Sequence, residues 1–144
     1  MSEMVDIGGK EHVNRIAKAS GFIKLHPETI QKIKGKQVPK GDVISVAKTA
    51  GIMAIKNTTQ IVPLTHPIPI TGAKVNFVVQ EEGVKVKVKV KSRGQTGVEM
   101  EALSGATASL LTVWDMVKGF EKDEEGQYPD TRITDIQVKE KVKK

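Results

Sequence analysis

Between Val84 and Ser92, valine and lysine alternate residue by residue, as in a strand with one apolar face and one ammonium face. A second run at residues 74–79 precedes it across Glu81-Glu82-Gly83, so the pair reads as a β-hairpin. The same two-residue period appears from Arg15 to Leu25, where Ala17, Ala19, Gly21, Ile23 and Leu25 share a face small enough to demand close packing. Helical spacing takes over in three places. Pro27 opens a short helix with Glu28 in its first turn, Lys32 and Lys34 late, and Gly35 as its stop. Asp42 can cap a second helix running to Lys56, with Ala47, Ala50, Gly51 and Ala54 as a stripe of small residues. From about Val98 to Lys122, the residues Leu103, Ala106, Leu110, Val113, Trp114 and Val117 form the apolar stripe of a long helix. Pro63, Pro67 and Pro69 keep residues 61–70 out of a helix and push His66 to an extended backbone. Ile133, Ile136 and Val138 supply a closing strand.

This order of elements predicts an α+β fold with helices packed on one face of a mostly antiparallel sheet; a ferredoxin-like antiparallel sheet leads among the several topologies that the pattern allows. The 144 residues suit one domain, 1–144, ending in a basic tail expected to be flexible. Only five residues are aromatic, so the core must come from Val, Ile, Leu, Ala and Met. A core of that kind fits a thin sheet or a subunit that completes its burial in an oligomer. No apolar run reaches membrane-span length and the first residues lack a signal segment, so the expectation is a cytoplasmic protein with no membrane partner. The absence of cysteine excludes disulfides, thiolate metal sites and thiol nucleophiles within the chain. The net charge of +6 gathers on Lys85, Lys87, Lys89 and Lys91 and on the closing lysines, and favours anionic partners. Sparse aromatics argue against a stacking platform for single-stranded nucleic acid.

The candidate chemistry is therefore that of oxygen and nitrogen groups. Glu99 and Glu101 stand two residues apart where a glycine turn meets the long helix. Thr96 and Glu99 match a capping box, so Glu99 reads equally as a helix cap and as a site acid, and Glu101 as a solvated or a site acid. In an extended backbone the two carboxylates would share a side; in a helix they lie roughly 200° apart. Asp115 and Lys118 share a helix face, decorative if exposed and capable of proton transfer if buried. Lys40 precedes a helix N-terminus, where anions are favoured. His66 can act as a base or hydrogen-bond to phosphate, and no second histidine stands at metal-ligand spacing.

Taken together, Lys40-Gly41-Asp42-Val43, Ala50-Gly51-Ile52, Pro63-Leu64-Thr65-His66-Pro67, the run from Thr96 to Leu103 and the run from Leu111 to Lys118 closely resemble the molybdenum cofactor biosynthesis protein C family. The likeness runs in order from Val5 to Lys141. It implies a lyase, cyclic pyranopterin monophosphate synthase, that converts 3′,8-cyclo-7,8-dihydroguanosine 5′-triphosphate into cyclic pyranopterin monophosphate and pyrophosphate. It also implies Lys40, Asp115 and Lys118 as catalytic groups. Leu64, Thr65, His66, Glu99, Met100 and Glu101 would bind substrate, and Arg15 and Lys56 would meet the triphosphate. No tightly bound cofactor or protein-held metal is implied, only magnesium that can accompany the triphosphate. The implied partners are the guanosine triphosphate-derived cyclic nucleotide and further copies of the chain, a hexamer built as a trimer of dimers with interfacial sites, and not nucleic acid. Three positions depart from the family pattern: Thr65 stands where cysteine is common, Trp114 replaces a common tyrosine, and the glycine-lysine-rich run near the C-terminus is absent, so no phosphate role passes to Lys141. A rival reading, a basic binding module working through the lysine strand and tail, predicts steeply salt-dependent binding of nucleic acid.

Overall fold

The computed structural model describes residues 2–144. Eight elements follow in chain order: β1 (Val13–Lys24), α1 (Pro27–Lys34), α2 (Val43–Lys56), α3 (Thr58–Ile61), β2 (Ile70–Gln80), β3 (Gly83–Gly94), α4 (Glu99–Glu121) and β4 (Arg132–Lys143). The strands form one sheet in the order β2-β3-β1-β4, every neighbouring pair antiparallel. Two strand-helix-strand crossovers interleave to give that order, which is the ferredoxin-like arrangement expected from the sequence.

Alternation decides which face of the sheet is buried. Val84, Val86, Val88 and Val90 of β3 point into the core, beside Ala17, Ala19 and Ile23 of β1. Helices α2 and α4 cover that face and pack against each other. Their approach is set by glycine: a Cβ at Gly51 would lie 3.2 Å from the carbonyl oxygen of Gly105, and one at Gly105 would lie 2.8 Å from Ile55. The small stripe on α2 therefore serves helix-helix contact. Leu110 of α4 is fully buried in the same core, and its truncation to Ala would cost about 3 kcal/mol.

The helix signals act as their chemistry requires. Asp42 caps α2 by accepting a hydrogen bond from the Ser45 amide at 3.1 Å. Gly35 ends α1, although the left-handed residue there is Lys36, at φ 54°. The last turn of α4 is anchored by Glu121, a fully buried carboxylate. It accepts hydrogen bonds from the hydroxyls of Thr29 and Thr131 and from the His26 amide at 3.0 Å.

Three local expectations change. The short helix α3 was not foreseen in front of the proline-rich segment; the Thr58 hydroxyl continues from α2 by bonding back to Ala54 and Ile55. The capping box does not form, because Val98 is the N-cap of α4 and no side chain caps it. The tail expected to be flexible is instead the end of β4, with Lys141 opposite Ala17 and Lys143 opposite Arg15. Backbone pairing with β1 holds these lysines in place, on a sheet edge where charge also discourages further strand addition.

Candidate active site

The three groups assigned catalytic roles meet at the C-terminal part of α4. Asp115 extends from the helix one turn before Lys118, and its Oδ1 lies 3.1 Å from Lys118 Nζ. Lys40 reaches it from the loop before α2: its Nζ donates to Asp115 Oδ2 at 3.0 Å and to the Asp115 carbonyl at 3.2 Å. That loop turns through Gly41 at φ 122°, a conformation suited to glycine. The hydrogen bond from Lys40, then that from Lys118, outweighs desolvation and holds the Asp115 carboxyl below its ordinary pKa. All three side chains are about half exposed. The burial that the catalytic reading asks for is therefore not supplied within one chain. The trio borders a cavity of about 370 Å³ shared with Pro39, Met116 and Phe120.

The segments expected to bind substrate meet, in part, at the opposite end of α4. Leu64, Thr65 and His66 line a cavity of about 410 Å³ with Met100 and Glu101. Thr65 donates its hydroxyl to the Val62 carbonyl at 2.7 Å, which fixes the side chain on this segment. Glu101 is only 4% exposed. Its desolvation raises the carboxyl pKa against the effect of its own backbone amide, and the nearby charge of Glu99 adds to the rise. A carboxyl in that setting holds its proton to higher pH than an exposed one, and while protonated it can donate a hydrogen bond as well as accept one.

Glu99 does not share this cavity's lining. Residues 99 to 101 are helical, so the two carboxylates diverge, and Glu99 Oε1 pairs with Lys141 Nζ of β4 at 2.7 Å. Desolvation pushes the Glu99 carboxyl up, but the hydrogen bond from Lys141, helped by the charges of Lys141 and Arg15, brings it below its ordinary value. Arg15 is buried, and its Nε donates to the Gly94 carbonyl at 3.0 Å. The expected segment of residues 99 to 101 is thus split between two environments. Lys56 ends α2, is exposed, and lines neither cavity.

Two contributors were missed by sequence reasoning. Lys141 belongs to the Glu99 pair, which the absent glycine-lysine run obscured. Lys10, with Asp6 and Ile7, forms a wall of the Glu101 cavity. Trp114, at a departing position, packs edge-on against Tyr128 with ring centroids 5.2 Å apart.

Fourteen residues of helix separate Glu101 from Asp115, roughly 21 Å at 1.5 Å per residue. One chain thus presents two separate clusters, a cavity with acid and imidazole at one end of α4 and a cation-carboxylate network at the other.

The MoaC family model matches residues 4–143. Three similar proteins each carry the name probable cyclic pyranopterin monophosphate synthase. That of Archaeoglobus fulgidus is 54% identical over 140 residues, covering 97% of this chain and 90% of its own length. That of Aeropyrum pernix is 56% identical over 140 residues, covering 97% and 96%. That of Sulfurisphaera tokodaii is 54% identical over 142 residues, covering 99% and 94%.

Proposed function

The chain belongs to the MoaC family, and from that premise we infer that it is a cyclic pyranopterin monophosphate synthase, a lyase of molybdenum cofactor biosynthesis. Its substrate is 3′,8-cyclo-7,8-dihydroguanosine 5′-triphosphate, and its products are cyclic pyranopterin monophosphate and pyrophosphate. The structural observation that carries this reading is Asp115 held between Lys40 and Lys118 at 3.0 and 3.1 Å. Rebuilding a purine-derived ring system requires proton transfer at several atoms, and forming the cyclic phosphate requires stabilisation of departing pyrophosphate. Two ammonium groups sharing one carboxylate serve both needs: either lysine can pass a proton while Asp115 preserves the charge balance and fixes their positions. Leu64, His66, Met100 and Glu101 hold the guanine-derived rings. Glu99, Arg15 and Lys141 form the charged flank beside them, and Lys56 stands ready for the triphosphate at the far end of α2. Magnesium, where it is present, arrives with the triphosphate. The reaction is cytoplasmic.

The active unit is an oligomer in which the trio of one copy faces the Glu101 cavity of another, assembled as a hexamer. Two observations support this. The half-sites are too far apart along α4 for one chain to join them, and exposed Ile61, Met100 and Leu111 leave an apolar helix face open. A groove of about 340 Å³ runs through that face between α3 and α4.

Incubation of the purified protein with the cyclic triphosphate should release cyclic pyranopterin monophosphate and pyrophosphate in equal amounts. Absence of turnover by folded oligomer would overturn the assignment. Mixing inactive Asp115→Ala with inactive His66→Ala under subunit exchange should restore activity; failure to do so in demonstrated mixed oligomers removes the shared site. Nucleic acid is not a partner in this reading. Steeply salt-dependent duplex binding, abolished by charge reversal on Lys85 and Lys87, would favour the rival binding module instead.

A further inference from the structure

The wall of the Glu101 cavity formed by Asp6, Ile7 and Lys10 comes from a segment with little means of holding itself in place. Residues 2–10 contain no helix or strand, and all except Ile7 are exposed. Within the segment, the Gly8 amide donates to Asp6 Oδ1 at 2.8 Å and the Lys10 amide donates to the Ile7 carbonyl at 3.0 Å. Those two bonds give it a turn but do not attach it to the body. Attachment comes from Gln95, in the connection between β3 and α4. Its Nε2 lies 3.2 Å from the Ile7 carbonyl, 3.3 Å from that of Gly8 and 3.2 Å from that of Lys10. One amide group with two N–H bonds meets three acceptors, so at least one hydrogen is shared between carbonyls.

We propose that Gln95 is a positioning residue that clamps the N-terminal segment over the Glu101 and His66 cavity, so that the segment forms a wall of the substrate site. The requirement is for a hydrogen-bond donor at this position, because all three partners are carbonyl oxygens. Gln95 lies two residues before Gly97, and Gly97 lines the same cavity. The clamp therefore ties the segment to the backbone that leads into α4 and Glu101. With so little apolar anchorage, loss of the donor shifts the segment toward an open population, and substrate binding must bear the cost of closing it.

The inference rests on the proposed synthase reading, and its test separates the two. Amide hydrogen exchange of residues 3–10 and kcat/KM for the cyclic triphosphate are measured on the full oligomer for wild type, Gln95→Ala, Gln95→Glu and Gln95→Lys. Removing the donor in the Ala and Glu variants should speed exchange across residues 3–10 and lower kcat/KM on the order of tenfold, with Tm within about 2 °C of wild type. The Lys variant restores a donor with three N–H bonds and should recover both protection and turnover. Unchanged exchange in the Ala variant would overturn the clamp, as would a Lys variant no better than Ala. Faster exchange with undiminished kcat/KM would overturn the role of the segment in the site. If wild type makes no product, the synthase reading fails, while the exchange data still decide whether Gln95 holds the segment.

Discussion

The two ends of α4 carry acids in opposite electrostatic states. At the N-terminal end Glu101 is buried, and desolvation raises its pKa; at the C-terminal end Asp115 is exposed, and hydrogen bonds from Lys40 and Lys118 lower its pKa. One helix thereby offers a carboxyl inclined to keep its proton and a carboxylate inclined to lose it. The contrast matches a division of labour between gripping a heterocycle and moving charge. Burial creates the first state, and two lysines, Lys118 one turn along the same helix and Lys40 from the distant loop before α2, create the second.

The largest expected effect lies at the charged end. Asp115→Ala should reduce kcat by about 1000-fold, the range associated with loss of acid-base and electrostatic groups. Because the side chain is exposed and its ion pairs contribute little to folding, Tm should stay within about 2 °C of wild type. A thermal denaturation curve and a single-turnover assay decide this, and near-normal turnover would end the contrast.

At the buried end, Glu101→Gln should lower kcat/KM about tenfold yet raise Tm at neutral pH. The sign follows from the raised pKa. Ionising Glu101 is harder in the folded protein than in the unfolded chain, so a destabilising cost grows as pH rises from the ordinary carboxyl value through the raised one. Below the ordinary value the group is protonated in both states and the advantage of the glutamine disappears. A fall in Tm across the neutral range would show that Glu101 is paired rather than merely desolvated.

Glu99 sharpens the comparison because it sits beside the buried acid but behaves like the exposed one. Lys141→Gln should cost about 0.5 kcal/mol at neutral pH, as expected for a partly exposed pair. The lowered Glu99 pKa makes this stabilisation fully present above the ordinary carboxyl value and removes it as pH falls through the lowered one. Denaturant titrations at neutral and acid pH test the window, and an equal cost at both would assign Lys141 a packing role.

The smallest effect belongs to the open face of the sheet. Lys89 stands opposite Lys18 on one neighbouring strand and Lys74 on the other. The charge of Lys91, then desolvation, then Lys18 and Lys74 lower its pKa, so its charge works in full against folding below that lowered value and the cost fades as pH rises from there to the ordinary lysine value. Lys89→Gln should raise Tm by about 1 °C at low salt, with the gain fading at high salt. Persistence of the gain at high salt would rule out charge repulsion as the cause.

Much of the fold was legible because its signals are local. Pro27, Asp42 and the valine-lysine alternation mark α1, α2 and β3 through contacts only a few residues apart. α3 was hidden because its stabilising Thr58 bonds back to α2, while the following prolines argued for extended chain. The length of β4 was hidden because its last residues are mostly lysines with little apolar alternation, and backbone pairing with β1 is what orders them. In the site, the family resemblance grouped Lys40, Asp115 and Lys118, and the folded chain brings the three side chains together. The Glu99-Met100-Glu101 segment looked equally coherent along the chain, yet helical rotation sends its two acids to different partners.

The sequence by itself determined which faces are apolar, where the main helices begin, and the family to which the chain belongs. Those properties depend on near-neighbour periodicity and on motifs read in order. Only the tertiary structure decided that Lys40 meets Asp115, that Lys141 meets Glu99, that Gln95 meets the carbonyls of Ile7, Gly8 and Lys10, and that the Asp115 and Glu101 clusters stand apart. Each of these depends on the path of the backbone between residues distant in sequence, and on a helix whose rise and rotation separate side chains that the linear order sets side by side.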